Sequence, residues 1–222
     1  MRRAPEVVLV HGMWHRPEHF ATFRAALEAA GYAVRVPALH RGSLAGDVAA
    51  VQAVVDASAE ARGEPPVLVA HSYGGAVAGH VTRVRAMLLV TAFVLEVGES
   101  CASVAGPPPC RPAILSNPDG STSLDPALAG EYFYADCAPE AVERAVALLV
   151  PQARGTGRAE AVASTWREVP TRYVVCEDDR AIDPAVQRRL AARCSASASI
   201  PTSHSPSFSA PEVLVEQVAA LS

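Results

Sequence analysis

The chain has 222 residues, half of them hydrophobic and 19% charged, with a formal net charge of −4. That length suits a single domain with a sizeable core, and the apolar content speaks against a disordered chain. Charges of both signs are scattered without a basic block, which argues against a nucleic-acid surface, and no segment approaches the ~20 apolar residues of a membrane span.

The N-terminus carries Arg2 and Arg3 but neither the apolar run nor the cleavage site of a signal peptide, so a cytoplasmic protein is expected. Residues 6–10 (Glu-Val-Val-Leu-Val) read as a buried strand, followed by a loop through His11, Gly12, Met13 and Trp14. Pro17 suits the first turn of a helix reaching Ala30, where Gly31 ends it. A second strand over 32–36 is closed by Pro37, and Ser43 is the expected N-cap of an Ala/Val-rich helix to Arg62. After Pro65-Pro66 come a strand over 67–70, a helix over 74–82 and a strand over 86–90. Continuous apolar strands alternating with helices predict a parallel sheet covered on both faces.

The rhythm then breaks. Residues 98–126 hold Pro107-Pro108-Pro109, Pro112, Pro118, Asp119-Gly120 and Pro126, and predict little regular structure. A helix over 139–149, opened by Asp136 or Cys137, follows. The βα pattern returns with a strand at 171–176, a helix at 184–193, a strand at 196–200 and a helix at 211–221. A long insertion of this kind is usually a lid or binding loop. Five cysteines without metal-like spacing predict free thiols, a Cys101–Cys110 disulfide being the minor alternative.

The most informative segment is Val67-Leu-Val-Ala-His-Ser-Tyr-Gly-Gly75. A strand runs into a serine flanked at minus two and plus two by Ala70 and Gly74, small enough for a sharp strand-to-helix turn with Ser72 at its tip. Alone, this is no more specific than an ordinary βα turn. Downstream, the 171–176 strand is followed by Glu177, Asp178 and Asp179, and the 196–200 strand by Ser203-His204-Ser205-Pro206. A serine hydroxyl needs a base to take its proton and a third group to orient that base. The three groups follow three strands in the order serine, acid, histidine, at the sheet edge where ligand sites collect.

Blander roles compete for these residues. His204 read alone is a solvated loop histidine, and an aspartate among 178, 179 and 183 is an expected cap for the next helix. His71 and His80 read as structural, whereas His15 and His19 are left between pocket and solvent. No His/Cys/Asp group has zinc-ligand spacing, so neither a metal nor another cofactor is expected.

Four segments resemble a known family: Val-Leu-Val-His-Gly-Met-Trp-His from Val8, Ala-His-Ser-Tyr-Gly-Gly from Ala70, Tyr-Val-Val-Cys-Glu-Asp-Asp-Arg from Tyr173, and Ser-His-Ser-Pro from Ser203. They are similar to small α/β-hydrolases of the branch holding plant methylesterases, hydroxynitrile lyases and bacterial esterase-like proteins. Phe-Tyr-Ala-Asp-Cys-Ala-Pro-Glu from Phe133 is similar to a segment common in that branch. The resemblance implies an α/β, doubly wound, mainly parallel six-stranded sheet, one domain over 1–222, with a small cap at 93–167 inserted after the strand near 86–90. It implies a triad of Ser72, Asp179 and His204, with Asp178 the runner-up acid, and an oxyanion hole from the amides of Met13 and Tyr73. His11 is then a scaffold residue, and Gly12 leaves room for a substrate carbonyl. The cyanogenic lyases carry a threonine and a lysine where this chain has Gly12 and Ser205, which disfavours lyase chemistry on cyanohydrins.

The expected activity is hydrolysis of a small, largely uncharged carboxylic ester or lactone through an acyl-enzyme. Gly12, Trp14, Phe93, Tyr132, Phe133, Tyr134 and Trp166 are the candidate substrate contacts. A non-hydrolytic lyase or cyclase, and a ligand-binding protein with a vestigial triad, are the competing classes. The only partner expected is the small molecule, with a homodimer entertained.

Overall fold

The computed structural model describes residues 4–40 and 42–221; Arg2 and Arg3 lie outside the described residues. The chain runs β1 (Glu6–Val10), α1 (Ala21–Ala29), β2 (Ala33–Arg35), α2 (Leu44–Arg62), β3 (Val67–His71), α3 (Gly74–Ala78) and β4 (Ala86–Val90). It then leaves the sheet through α4 (Cys101–Ala105), β5 (Ile114–Ser116), β6 (Thr122–Leu124), α5 (Pro126–Phe133) and α6 (Pro139–Ala147). It returns with β7 (Thr171–Cys176), α7 (Pro184–Ala191), β8 (Ala196–Ile200), α8 (Pro206–Ser209) and α9 (Pro211–Ala219).

Six strands pair in the order β2-β1-β3-β4-β7-β8, every pair parallel. The two-residue period of a strand sends alternate side chains to opposite faces. Val8, Val10, Leu68, Ala70, Met87, Leu89, Tyr173 and Val175 pack in one core with Val51, Val55, Ala76 and Leu190 of α2, α3 and α7. Val7, Leu9, Val67, Val69, Leu88, Val90, Val174 and Cys176 pack in the other with Phe23, Leu27, Leu214 and Val218 of α1 and α9. Strand order reverses between β1 and β3, so the crevice at their carboxyl ends is the natural ligand position of this topology.

The helix starts follow local chemistry. Ser43 Oγ accepts the Gly46 N–H to cap α2, which Gly63 closes at φ 72°, and Asp183 caps α7 through the Ala185 N–H. The first predicted helix is divided, Pro17–Phe20 being a 3-10 turn before α1.

Other expectations need correction. The proline-rich stretch is more ordered than its composition suggests. Ser100 and Ser103 form a reciprocal cap on α4, and Asn117 to Ser121 make the turn of a β5–β6 hairpin, Gly120 supplying φ 81°. Pro126 opens a helix instead of breaking one, because Asp125 accepts the Ala127 N–H and proline at the first turn costs no hydrogen bond. α6 is preceded by Ala138, which offers no side-chain cap, not by Asp136 or Cys137. α3 ends at Ala78, short of the predicted 82. All five cysteines are free thiols, so the Cys101–Cys110 alternative fails.

Between β4 and β7, a third small core gathers Cys110, Ala113, Leu124, Ala129, Phe133, Tyr134 and Ala145 around Trp14 of the first loop. The end of this region behaves differently. Trp166 packs in the main core and donates its Nε1–H to the Leu95 carbonyl at 2.8 Å. Among the described residues no helix is long and apolar enough to cross a membrane.

Candidate active site

Four loops at the carboxyl edge of the sheet, following β1, β3, β7 and β8, build the site. Ser72 follows β3 directly at φ 57°, a left-handed conformation unusual for serine, and the strain is held by tight backbone packing. A Cβ on Gly74 would lie 2.4 Å from the Val10 carbonyl oxygen, and one on Gly75 would lie 2.4 Å from that of Phe93. Both glycines are therefore demanded by close backbone approach. Gly12 is demanded by the serine itself, since its Cβ would come within 2.9 Å of Ser72 Cβ.

Asp179 and His204 form a buried pair, with Nδ1–H donating to Oδ2 at 2.7 Å. The carboxylate is surrounded by donors. Thr91 Oγ1–H and Gln187 Nε2–H reach Oδ2 at 2.6 and 2.9 Å, and the amides of Ala181 and Ile182 reach Oδ1 at 2.7 and 2.9 Å. Burial alone would raise its pKa, but the His204 ring and these hydrogen bonds hold the carboxyl below its ordinary 3.8. Asp178 is exposed and, among the described residues, engages through its backbone alone, donating its N–H to Thr202 O, so the structure separates the two acid candidates.

His204 is seated by two further contacts. Its carbonyl accepts the His71 Nε2–H at 2.7 Å, and the Phe133 ring stands edge-on to it at 5.2 Å. Burial and the neighbouring His204 keep His71 neutral, its pKa pulled down to about 3. Ser72 Oγ has no hydrogen-bond partner among the described residues, so the serine–histidine bond is open in this conformation. Such bonds commonly tighten only in the substrate complex.

Ser72, His204, Met13 and Tyr73 share the wall of one cavity of about 580 Å³, within the range of small-molecule sites. The amides of Met13 and Tyr73 have no acceptor among the described residues. The Tyr73 side chain points away, its hydroxyl donating to buried Asp47 at 2.9 Å. Of the candidate substrate contacts, Trp14, Phe93 and Phe133 line the cavity together with Cys101, Pro108 and Ile182. The others do not. Gly12 lies behind the serine, Tyr132 packs against the small core, Tyr134 turns its hydroxyl to His15, and Trp166 is held in the main core. Aromatic residues in the insertion are spent on its own packing, which composition does not distinguish from substrate contact. The charged lining residues Arg154, Arg158 and Asp183 are all exposed. Among the described residues no group of three or more His, Cys, Asp or Glu is arranged to hold a metal ion.

Thr91 and Gln187 are absent from the sequence reading. Gln187 is a polar residue among the buried positions of amphipathic α7, a faint signal, and Thr91 gives none. The histidines left open are now placed. His15 and His19 are buried beside the first loop; His80, read as structural, is satisfied by the Ala76 carbonyl and the Val162 N–H.

A family model described as the alpha/beta hydrolase family matches residues 7–217. The chain is 28% identical over 238 residues to a protein of Aspergillus novofumigatus named alpha/beta hydrolase nvfD, covering 96% of this chain and 95% of that one. It is 27% identical over 242 residues to a pyrethroid hydrolase of Sphingobium wenxiniae, covering 96% and 86%. Among solved structures, a pyrethroid hydrolase from Sphingobium faniae JZ-2 superposes with a TM-score of 0.83 at 22% identity, over 97% of this chain and 96% of that one. A methylesterase from Arabidopsis superposes at 0.81 with 18% identity, over 98% of each chain.

Proposed function

The chain belongs to the alpha/beta hydrolase family, and on that premise we propose that it is a carboxylic ester hydrolase working through Ser72, His204 and Asp179. The observation that carries this reading is that His204, bonded to buried Asp179, opens onto a single cavity with Ser72 and two amides that have no acceptor among the described residues. The relatives named for ester-cleaving activities support it.

With Asp179 ionised and accepting from Nδ1–H, His204 presents its Nε2 lone pair toward the serine side. As Ser72 Oγ attacks the substrate carbonyl, Nε2 takes the hydroxyl proton and Asp179 stabilises the imidazolium. The carbonyl oxygen becomes an oxyanion facing the amides of Met13 and Tyr73, donors fixed in the backbone before the reaction begins. His204 then returns the proton to the departing alcohol, and a water activated by Nε2 releases the acid. The substrate is a small, largely uncharged ester or lactone, since Trp14, Phe93, Cys101, Phe133 and Ile182 offer it mainly apolar contact.

The test is Ser72→Ala against a panel of chromogenic short-chain esters and lactones, with a fluorophosphonate probe read by mass spectrometry. Turnover and labelling at Ser72 are expected in the wild type and absent in the variant. Undiminished turnover by folded S72A overturns the assignment.

A further inference from the structure

The first loop is held by imidazoles in a way the reaction itself does not require. Four successive carbonyl oxygens each receive a donor: Gly12 from His11 Nδ1–H at 3.0 Å, Met13 from His15 Nδ1–H at 2.7 Å, Trp14 from the Val150 N–H at 2.9 Å, and His15 from His40 Nε2–H at 2.5 Å. A peptide group is planar with its C=O and N–H opposed, so fixing each carbonyl fixes the next amide. The Gly12 carbonyl sets the direction of the Met13 N–H. The Met13 carbonyl sets the following plane, beside Trp14 at the unfavourable φ of 58°.

The two histidines flanking Met13 share a further feature. The Leu39 N–H donates to His11 Nε2 at 3.2 Å, and the Tyr134 hydroxyl lies 2.8 Å from His15 Nε2. A backbone N–H can only donate, so His11 Nε2 accepts and its proton sits on Nδ1; for His15 the Met13 carbonyl, which can only accept, places the proton on Nδ1 and leaves Nε2 to accept from the Tyr134 hydroxyl. Both rings are buried and neutral, desolvation drawing His11 down to about 3 and His15 well below its ordinary value.

Tyr134 belongs to the Phe133–Asp136 segment at the end of α5, and that segment touches the other side of the site as well. Asp136 accepts from Ser203 Oγ, next to His204, and the Phe133 ring rests on His204. We propose that His15, its ring seated by the Tyr134 hydroxyl, is a positioning residue that fixes the peptide plane following Met13 and so, with His11 fixing the plane before it, holds the Met13 amide toward the oxyanion, with Phe133–Asp136 as the brace joining that loop to the base. The role rests on the ester-hydrolase reading above.

Asparagine and glutamine separate this role from mere packing. The side-chain amide nitrogen of asparagine can take the place of imidazole Nδ1, whereas that of glutamine matches Nε2. His15→Gln should lower kcat about 10- to 100-fold with KM within about threefold, as for a misaimed oxyanion donor. His15→Asn should recover most of that loss, and Tyr134→Phe should lower kcat several-fold. The inhibition constant of phenylboronic acid, whose tetrahedral Ser72 adduct uses the same amides, should rise in step with the fall in kcat/KM. Imidazole ¹⁵N shifts should show His15 protonated on Nδ1 in the wild type and in Y134F alike, with the Nε2 shift displaced in Y134F by loss of its donor.

If H15Q does not fold, as judged by circular dichroism, the Y134F and H15N measurements decide alone. A wild type that cleaves no ester and takes up no fluorophosphonate overturns the reaction reading and this role with it. An active wild type whose folded Y134F variant keeps full kcat, or whose H15N and H15Q variants lose equally, overturns the positioning role alone.

Discussion

Asp179→Asn is the sharpest single test of the buried pair. In the wild type both carboxylate oxygens accept, Oδ1 from the Ala181 and Ile182 amides and Oδ2 from Thr91, Gln187 and His204. An asparagine oxygen keeps only one of these sets. The backbone amides cannot turn away, so the oxygen goes to them and the NH₂ faces three donors. Of those, Thr91 can rotate its hydroxyl to accept, and His204 can accept only by moving its proton to Nε2. That tautomer has no lone pair for the Ser72 proton. Loss of the correct tautomer costs about 10⁴ in kcat, on the order of 5.5 kcal/mol at 1.36 kcal/mol per decade. Initial rates of short-chain ester hydrolysis measure it, with circular dichroism to confirm folding and Asp178→Asn as the parallel variant. Exposed Asp178 should tolerate the change with its rate intact. A folded D179N within tenfold of wild type, or a D178N that falls as far, would refute the argument.

Other outcomes follow from the same contacts. Thr91→Val removes the 2.6 Å hydrogen bond to Asp179 and should raise the carboxyl pKa toward 3.8. Because a depressed carboxyl pKa stabilises the fold above the unfolded-state value and loses that contribution as pH falls, acid unfolding followed by tryptophan fluorescence should begin at higher pH in T91V. His11, His19 and His71 are drawn down to about 3, 4 and 3 chiefly by burial, so the unfolded chain takes up protons below pH 6.5 that the native state refuses. Stability should therefore fall from pH 6.5 toward 4, each histidine adding a slope of about 1.4 kcal/mol per pH unit; urea melts that give a constant value between pH 7 and 5 would contradict this. Gly75→Ala drives a Cβ to 2.4 Å from a backbone oxygen and should cost about 1–3 kcal/mol in urea unfolding. Gly79→Ala, whose Cβ meets nothing nearer than 3.6 Å, should cost far less.

Much of the frame was legible in the residues alone. β1, β3 and β4 were legible as unbroken apolar runs, because a parallel strand buried on both faces leaves little room for polar residues, whereas the edge strands β2 and β8 are part-exposed and were placed by their position in the alternating pattern. Ser72 stood out at a sharp, small-residue turn after its strand, His204 by its place past a later strand end in the order serine, acid, histidine, and the resemblance to a known family chose between Asp178 and Asp179. Local chemistry predicted the cap at Ser43 and left that of α7 among Asp178, Asp179 and Asp183, of which Asp183 takes it. What the pattern did not carry was everything set by contacts distant in sequence. Gln187 and Thr91 serve Asp179 from other elements, His15 finds Tyr134 119 residues away, and Trp166 turns into the main core while Phe133 faces the cavity. A side chain's chemistry states what it can bond. Which partner it meets is decided when the sheet brings loop ends together, and for the seven histidines of this chain that meeting separates a base from a brace.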